Sequence, residues 1–502
     1  MKLSEKSYDD FFEPDKSDLR GHAASGFVYS AAAQATRIIT QFISVVALAR
    51  ILSPSDFGLV AKINPIYLFA LMFHDLGLSQ STIQKKEINH NQVNSFFWIN
   101  SGIGAGLAVA LIILSPVVGW FYKDERAAVL TAAMSLLIFV SSLGNQHGAI
   151  MQRKMEFRAQ STINIISAIG TVVVSISFAL VFRSYWALYA GMATGTLIGA
   201  AGVWTVVKWR PSSPSLVPET GAMLRHGLGF ATGNFIGFLS GNLSGVVMGK
   251  AFGDHLLGIY DRSARLLNAP LQQLIWPISG VVVPILYRLH SDADRYKLTF
   301  LRTISSITFA VMPGVVWVVV ASERFVTTFL GAKWSETVPV FAALSFSTIP
   351  ILINSSAGWL LTTQGRSKDY ARWSLFSASA SIASLIIGLY YGILGVAISG
   401  VICQIIITPL YWLFACRSGP VQFIDVTRCL FPHITSALLS SFLLHLFNNY
   451  MSESENIWVI GSGIFLSYSI SLGLLLVFND TRRMVLTNIE FFKYILSSRV
   501  KK

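Results

Sequence analysis

The chain has 502 residues, of which 13% are charged and 53% are hydrophobic, and its mean hydropathy is +0.58. An average soluble domain carries about 25% charged residues, so this composition argues against a soluble enzyme, a disordered tail, a secreted disulfide scaffold and an ordinary nucleic-acid binder. The 38 Lys and Arg residues outnumber the 25 Asp and Glu residues, for a formal net charge of +13. That imbalance on so few charges is typical of a multi-span membrane protein whose cations lie in loops.

Residues 1–25 are polar and acidic, unlike the basic start of a cleavable signal peptide, and we expect a cytoplasmic tail. A bilayer-spanning helix needs about 20 mostly apolar residues. The sequence holds fourteen such runs, at 26–48, 57–77, 96–121, 127–145, 161–182, 185–207, 227–248, 264–287, 303–321, 338–361, 373–391, 393–415, 430–447 and 457–478. It therefore predicts an all-α integral membrane protein with about fourteen transmembrane helices.

The runs divide into two groups of six followed by a final pair. We expect a first six-helix bundle at 26–207 and a second at 227–415, joined by a proline-containing cytoplasmic linker at 208–226. Two extra helices at 430–478 and a basic cytoplasmic tail at 479–502 complete the chain. Every connection between runs is short, so none leaves room for a soluble catalytic domain.

The basic residues predict the orientation of the chain. With a cytoplasmic N-terminus, 27 Lys and Arg residues fall on the cytoplasmic side, and nine fall on the outer side when Arg265, at the outer end of its run, is counted there. The remaining two, Arg37 and Lys62, fall inside spans. This threefold bias follows the positive-inside rule and predicts that both termini face the cytoplasm.

An internal repeat appears when the sequence is shifted by 200 residues. The segments ARILSPSDFGLVAK and GKAFGDHLLGIYDR then align, with Arg50 against Lys250, Gly58 against Gly258 and Lys62 against Arg262. Gln34 aligns with Asn234 in the same register. Several chemically similar pairs in one register predict two related, pseudo-symmetric halves, which is the usual construction of a secondary transporter.

Three segments resemble a known family: LARILSPSDFGLVA, MQRKMEFRAQ and LGIYDRSARLLNAP. They are similar to the Wzx-type polysaccharide exporters, in the colanic-acid-exporter or teichuronic-acid-exporter branch of the multidrug/oligosaccharidyl-lipid/polysaccharide (MOP) superfamily. The resemblance covers about residues 20–480. It implies a MOP flippase-like fold that moves a polyprenyl-diphosphate-linked oligosaccharide to the outer leaflet of a bacterial cytoplasmic membrane. It also implies coupling to a proton or sodium gradient, with membrane lipids, a polymerase and other assembly proteins as partners.

Arg37 is the first candidate site residue, because it lies eleven residues into the first apolar run and so near the predicted midplane. An arginine there normally faces the bundle interior or a water-filled cavity, and its planar fork suits phosphate oxygens. The alternative is a helix–helix hydrogen bond. Gln34 and Asn234, as a repeat pair on cavity-forming helices, are candidate sugar contacts.

A second group of cations lies toward the outer ends of the repeated helices, where the positive-inside rule does not call for them. The group comprises Arg50, Lys62, Lys250, Arg262 and Arg265. One interpretation is a cavity rim that handles diphosphate. The other is a salt-bridged gate with Asp56, Asp254 and Asp261, and simple snorkelling of Lys62 and Arg262 to the interface is the structural alternative.

His74 and Asp75, near the cytoplasmic end of the second run, form a weak candidate for ion coupling, and an end-of-helix polar pair in water is the competing interpretation. The sequence predicts no metal centre or catalytic residue, since Cys403, Cys416 and Cys429 lie too far apart for a CxxC site and no phosphate-binding GxxxxGK[ST] motif is present. The alternatives to a polysaccharide flippase are a multidrug or cation antiporter, a membrane polysaccharide polymerase or ligase, and a structural scaffold.

Overall fold

A computed structural model describes residues 12, 19–85, 87–214, 220–451 and 457–477. Over these residues the chain is helical. The helices are α1 (Leu19–Ile51), α2 (Pro54–Phe73), α3 (Leu78–Gln84), α4 (His90–Tyr122), α5 (Glu125–Arg153), α6 (Phe157–Phe182), α7 (Trp186–Val206), α8 (Thr220–Arg288), α9 (Ala293–Val320), α10 (Ser322–Leu330), α11 (Thr337–Ser345), α12 (Thr348–Thr363), α13 (Ser367–Leu389), α14 (Gly392–Ala415), α15 (Phe423–Tyr450) and α16 (Ile457–Val477).

Helix ends follow local sequence signals. Ser53 caps α2 through a capping box with Asp56, and Pro54 occupies the first turn, where its missing N–H costs nothing. Asn89 and Gln92 form the same reciprocal box at the start of α4. These polar starts lie outside the apolar runs, so α4 begins at His90 although the hydrophobic sequence predicts a start at 96.

Twelve helices of the described part are long and apolar enough to cross a membrane, and the count is thirteen when the bent helix Gly241–Gln273 plus Pro277–Arg288 is added as one span. The prediction of about fourteen is therefore met in part. The seventh and eighth predicted spans lie within α8, whose helical backbone is interrupted at Gly253. The φ of +78° at Gly253 is one that a glycine adopts without steric cost.

The chain divides into two compact units, Met1–Asp261 and Arg262–Lys502. In the first unit α4 packs along α5, α6 along α7, and α1 along α6. Its core includes Leu59 and Ile63 of α2 packed near Leu130 and Ile138 of α5. The predicted division into two six-helix bundles and a terminal pair stays a prediction.

In the second unit α13 packs along α14, and α15 packs along both α9 and α16. Its largest core cluster includes Phe300, Leu360 and Trp412. Large apolar side chains are exposed along many helices of both units, as with Val181 at 72% and Phe465 at 75%. Such surfaces are what contact with lipid requires.

Candidate functional site

Arg37 and Gln34 lie one turn apart on α1, and the Arg37 Nη2 donates a hydrogen bond to the Gln34 Oε1. Both face a cavity of about 280 Å³ between α1 and α6. The cavity is lined by Ser30, Ala33, Gln34, Arg37, Phe157, Gln160, Ser161 and Asn164. The structure thus brings two of the predicted site residues together at one cavity.

The lining combines one cation with neutral hydrogen-bonding groups. Three amide side chains and two hydroxyls surround the guanidinium, and the described lining contains no carboxylate. A guanidinium has five N–H donors, so the bond to Gln34 leaves most of them available for a ligand. Amides and hydroxyls both donate and accept hydrogen bonds, as sugar hydroxyls require. The cavity is therefore chemically suited to an anionic group joined to a polar, uncharged one.

The second wall of the cavity comes from the start of α6. Phe157, Gln160, Ser161 and Asn164 fall within the first eight residues of this 26-residue helix. Arg37 therefore lies beside the first third of α6, nearer one end of the helix than the predicted midplane position. At the same end, the Cζ of Arg158 lies 5.0 Å from the centre of the Tyr29 ring and joins α6 to α1.

A network of four charges lies at the opposite, predicted outer, end of the first unit. Lys62 forms an ion pair with Asp254. Arg126 bonds to the same aspartate, with its Nη2 2.7 Å from the Asp254 Oδ2, and to Asp124, with its Nη2 2.8 Å from the Asp124 Oδ2. We call Lys62, Asp124, Arg126 and Asp254 the outer charge network. It contains two cations and two carboxylates, so it is electrically neutral.

Burial differs sharply across the outer charge network. The side chains of Lys62 and Asp254 are 4% and 10% exposed, whereas that of Arg126 is 53% exposed. The Lys62 Nζ lies 5.3 Å from the centre of the Tyr122 ring, and the Tyr122 hydroxyl donates to the Lys62 carbonyl at 3.3 Å. At Asp124, burial acts to raise the pKa, but hydrogen bonds and charge from Arg126 outweigh it and lower the pKa below its usual value.

The other predicted outer cations occupy separate environments. Lys250 donates to the Phe121 carbonyl and lies 4.8 Å from the centre of the Phe121 ring. Arg50 is exposed at the end of α1. Arg262, 8% exposed, and Arg265, exposed, belong to the second unit. Their membership of one anion-binding rim stays a prediction.

Of the predicted acidic gate partners, only Asp254 pairs with Lys62 among the described contacts. Asp56 serves its own helix start, since its Oδ2 accepts from the Ser53 backbone at 2.9 Å, and its Oδ1 accepts from the Tyr185 backbone at 2.9 Å. Arg126 was absent from the sequence prediction. It falls between the predicted runs 96–121 and 127–145, where a charge is ordinarily a loop charge, and only the tertiary contact shows its partner.

The weaker candidates have local partners. The Asp75 Oδ1 accepts hydrogen bonds from the Ser79 hydroxyl at 2.5 Å and the Asn100 amide at 2.9 Å. The His74 Nδ1 lies 2.5 Å from the Leu71 carbonyl. These contacts match an end-of-helix polar pair, and an ion-coupling role for either residue stays a prediction. The side chain of Asn234 lies outside the described residues, so its pairing with Gln34 is untested.

Three comparisons relate this structure to known proteins. Residues 47–339 match the family model described as polysaccharide biosynthesis protein. The chain is 26% identical over 401 residues to the lipopolysaccharide biosynthesis protein WzxC of Escherichia coli, covering 78% of this chain and 80% of that protein. It is 24% identical over 352 residues to the succinoglycan biosynthesis transport protein ExoT of Rhizobium meliloti, covering 70% and 71%.

Solved structures share the fold. The lipid II flippase MurJ, in an inward closed conformation, superposes with a TM-score of 0.73 at 15% identity, covering 90% of this chain and 98% of that one. An inward-facing multidrug resistance MATE transporter of the MOP superfamily superposes with a TM-score of 0.60 at 13% identity, covering 77% and 97%.

The fold and its apolar helices therefore define a multi-pass membrane protein with the MurJ- and MATE-like architecture. The chain belongs to the polysaccharide biosynthesis protein family, whose model covers more than half of it. The resemblance noted in the three sequence motifs is confirmed.

Proposed function

We propose that the chain is a flippase for a polyprenyl-diphosphate-linked oligosaccharide, carrying it from the cytoplasmic to the outer leaflet of a bacterial cytoplasmic membrane. The observation that carries this proposal is the cavity in which the Arg37 guanidinium is surrounded by amides and hydroxyls. The names of WzxC, ExoT and MurJ, each tied to the biosynthesis or movement of a glycan or lipid-linked precursor, support the substrate class.

The binding mode follows from the cavity lining. Arg37 binds a diphosphate oxygen through charge-assisted hydrogen bonds, which are stronger than neutral ones. Gln160 and Asn164 of α6, with Gln34 of α1, contact hydroxyls of the first sugars. The polyprenyl chain stays in lipid, where its apolar surface needs no protein partner.

The position of the cavity suits loading from the cytoplasmic leaflet. In the predicted orientation α6 starts on the cytoplasmic side, and the cavity lies beside its first eight residues. A headgroup entering from the inner leaflet reaches Arg37 without crossing the whole bilayer. Release on the outer side then requires alternating access, with α8 crossing the membrane on both sides of Gly253. With two crossings by α8 the chain has fourteen spans, and both termini lie in the cytoplasm. A proton or sodium gradient drives the transport cycle.

Two competing functions fit the cavity less well. A multidrug or cation antiporter needs a negative group for its cationic cargo, and the described lining contains no carboxylate. A polymerase or ligase needs a large outer loop with catalytic residues, whereas α13 and α14 are joined by only two residues on the predicted outer side.

The decisive experiment measures binding by purified protein in nanodiscs to a synthetic polyprenyl diphosphate carrying one sugar. Arg37→Ala is expected to weaken binding about 10- to 100-fold, because a hydrogen bond to a charged group contributes about 1.5–3 kcal/mol. Arg37→Lys retains part of the affinity. Ile38→Ala, which truncates a 41% exposed neighbour on α1, is the matched control and binds as the parent does.

The same variants are then tested in cells. Arg37→Ala is expected to stop polymer export at normal membrane abundance, while Ile38→Ala exports normally. Unchanged binding and export in Arg37→Ala would refute the proposed role of the cavity. Equal affinity for a neutral polyprenyl alcohol would show that the diphosphate is not recognised.

A further inference from the structure

The outer charge network joins three helices at one aspartate. Asp254 of α8 accepts from Lys62 of α2 and, at 2.7 Å, from Arg126 of α5. Lys62 and Asp254 are almost fully buried, at 4% and 10% exposure of their side chains. The contact between Lys62 and Asp254 is therefore a buried ion pair and not a surface one.

Burial makes this ion pair an inefficient way to stabilise a fold. Removing two charges from water costs several kcal/mol per ion, and a well-packed apolar pair is often as stable or more stable. What a buried pair does provide is a contact that weakens when water enters, because hydration offsets the lost attraction. Such a contact can separate and re-form with a small change in free energy, which is what a two-state element needs.

The backbone around this pair allows an unusually close approach. A Cβ at Gly58 of α2 would overlap the carbonyl oxygen of Asp254, and a Cβ at Gly258 of α8 would overlap the carbonyl oxygen of Pro54. The 200-residue shift relates these two contacts. Gly58 lies against residue 254, and its repeat equivalent, Gly258, lies against residue 54, the repeat equivalent of 254. The crossing is therefore where the two sequence repeats meet with pseudo-twofold symmetry.

The charges break this symmetry. The residue 200 positions before Asp254 is Pro54, so the repeat provides an acid on α8 but not at the equivalent place on α2. Directly before Asp254, Gly253 interrupts α8 with a φ of +78° and a ψ of −173°. A single carboxylate thus lies immediately after a break in the helical backbone of α8.

We propose that Asp254, held by Lys62 and Arg126, is a latch that closes the outer side of the transporter at the repeat crossing. The latch rests on the proposed flippase function, since it assigns the closed and open states of that cycle. When α8 moves away from α2 at Gly253, water reaches the three charged groups and the outer side opens. When the charges re-pair, the outer side is sealed while the cavity beside Arg37 is loaded.

The test places a reporter cysteine at the crossing. Ala61 is 7% exposed and lies three residues after Gly58 and one before Lys62, on the same face of α2. In a chain with the three native cysteines replaced by serine, Ala61→Cys is treated in intact cells with a membrane-impermeant maleimide. The latched protein is expected to label slowly, and Asp254→Asn to label about tenfold faster.

A charge exchange separates pairing from packing. Lys62→Asp and Asp254→Lys are each expected to raise labelling, and the two together to bring it back close to the parent rate. Glu125→Gln, an exposed acid next to Arg126, is the matched control and leaves labelling unchanged. Each variant is compared at equal membrane abundance and with its unfolding temperature measured in detergent.

Three results would overturn the latch. Parent-level labelling in Asp254→Asn means that the pair does not hold the crossing closed. Labelling in the exchanged variant as fast as in the single variants, with an unchanged unfolding temperature, means that charge pairing is not what seals it. Labelling only in inverted vesicles places the crossing on the cytoplasmic side. These three results concern only the outer charge network and not Arg37. Loss of export in Arg37→Ala would therefore still support the flippase function.

Discussion

Gly58 and Gly258, 200 residues apart in the chain, occupy equivalent positions at one helix crossing. Each lies against the residue four positions before the other, Gly58 against Asp254 and Gly258 against Pro54. A Cβ at Gly258 would also lie 3.0 Å from the Gly58 backbone nitrogen. The relationship detected as a sequence repeat is thus a physical contact between backbones.

Alanine at either glycine is expected to force α2 and α8 apart, because the clashing atoms are backbone atoms that no side-chain rotation can move. Gly58→Ala and Gly258→Ala should each cost about 1–3 kcal/mol of stability, as overpacking does. The loss is measured as the unfolding temperature in detergent. Gly106→Ala on α4, where nothing lies within 4 Å of the new Cβ, is the control and keeps or slightly raises that temperature. Equal effects at Gly58 and Gly106 would contradict the close crossing.

The two cations on Asp254 are expected to differ in their contribution to stability. Lys62→Met leaves Asp254 largely buried without its buried partner, and breaking such a pair costs about 3–5 kcal/mol. Arg126→Met removes a side chain that is 53% exposed, and an exposed pair contributes about 1 kcal/mol or less. Denaturation of both variants in the same detergent compares the two losses. A larger loss in Arg126→Met would reverse the assigned order.

Arg153 and Arg366 anchor helix connections, one in each unit, through hydrogen bonds to backbone carbonyls. Arg153 donates to the carbonyls of Thr82 at 3.0 Å and Lys85 at 2.6 Å, and Arg366 to those of Ala415 at 2.6 Å and Ser418 at 3.0 Å. A lysine ammonium lacks the planar fork that reaches several acceptors at once.

We expect Arg153→Lys and Arg366→Lys each to cost about 1.5–3 kcal/mol of stability, read as a lower unfolding temperature. Arg417→Lys, whose side chain is 49% exposed and pairs with Asp369, is the control and changes it little. A drop in Arg417→Lys as large as that in Arg366→Lys would indicate that general charge geometry, not carbonyl anchoring, is responsible.

Cys416 is expected to be nearly unreactive at neutral pH. Burial, with a smaller contribution from the Asp425 carboxylate, raises the pKa of its thiol to about 11. At pH 8 about 0.1% of such a thiol is ionised, against roughly a quarter of an ordinary thiol with pKa about 8.5, and the thiolate is the reacting form.

Maleimide labelling followed by mass spectrometry tests this against Ser418→Cys, an exposed position two residues away. Between pH 7 and 9.5 the labelling rate of Cys416 should rise about tenfold per pH unit, while that of the exposed thiol levels off near its pKa. A plateau for Cys416 below pH 9 would show that its pKa is not raised.

The sequence predicted the spans well because burial in lipid imposes about 20 apolar residues on every crossing. It also singled out Gln34 and Arg37 on the first span, but as separate candidates, and only the structure shows the hydrogen bond between them. It predicted a connection between the runs 227–248 and 264–287, but not the helical turns that reach Gly253 from both sides, because a short polar stretch with a glycine is typical of a loop. Nor did it place Gln160 and Ser161 in the cavity, because their positions at a helix start resemble interfacial polarity.

The partners of the outer cations show the same limit. Lys62 stood out as an intramembrane charge, but three acids nearby in the repeat were equally plausible partners by sequence. Only the tertiary packing shows that Asp56 caps its own helix while Asp254 reaches Lys62. Contacts between distant segments depend on helix crossing geometry, which a single sequence does not determine.

The neutrality of the outer charge network has a consequence for the energetics of transport. A membrane potential does work of about 2.3 kcal/mol per elementary charge per 100 mV across the full bilayer. Lys62, Arg126, Asp124 and Asp254 sum to zero, so a displacement that moves them together is almost independent of voltage. Arg37, whose described partner is the uncharged Gln34, carries a net charge that a bound diphosphate would reverse in sign. The electric field across the membrane therefore acts on the charge of the loaded cavity, whereas in the outer charge network it acts only on a displacement that separates Asp254 from Lys62 and Arg126.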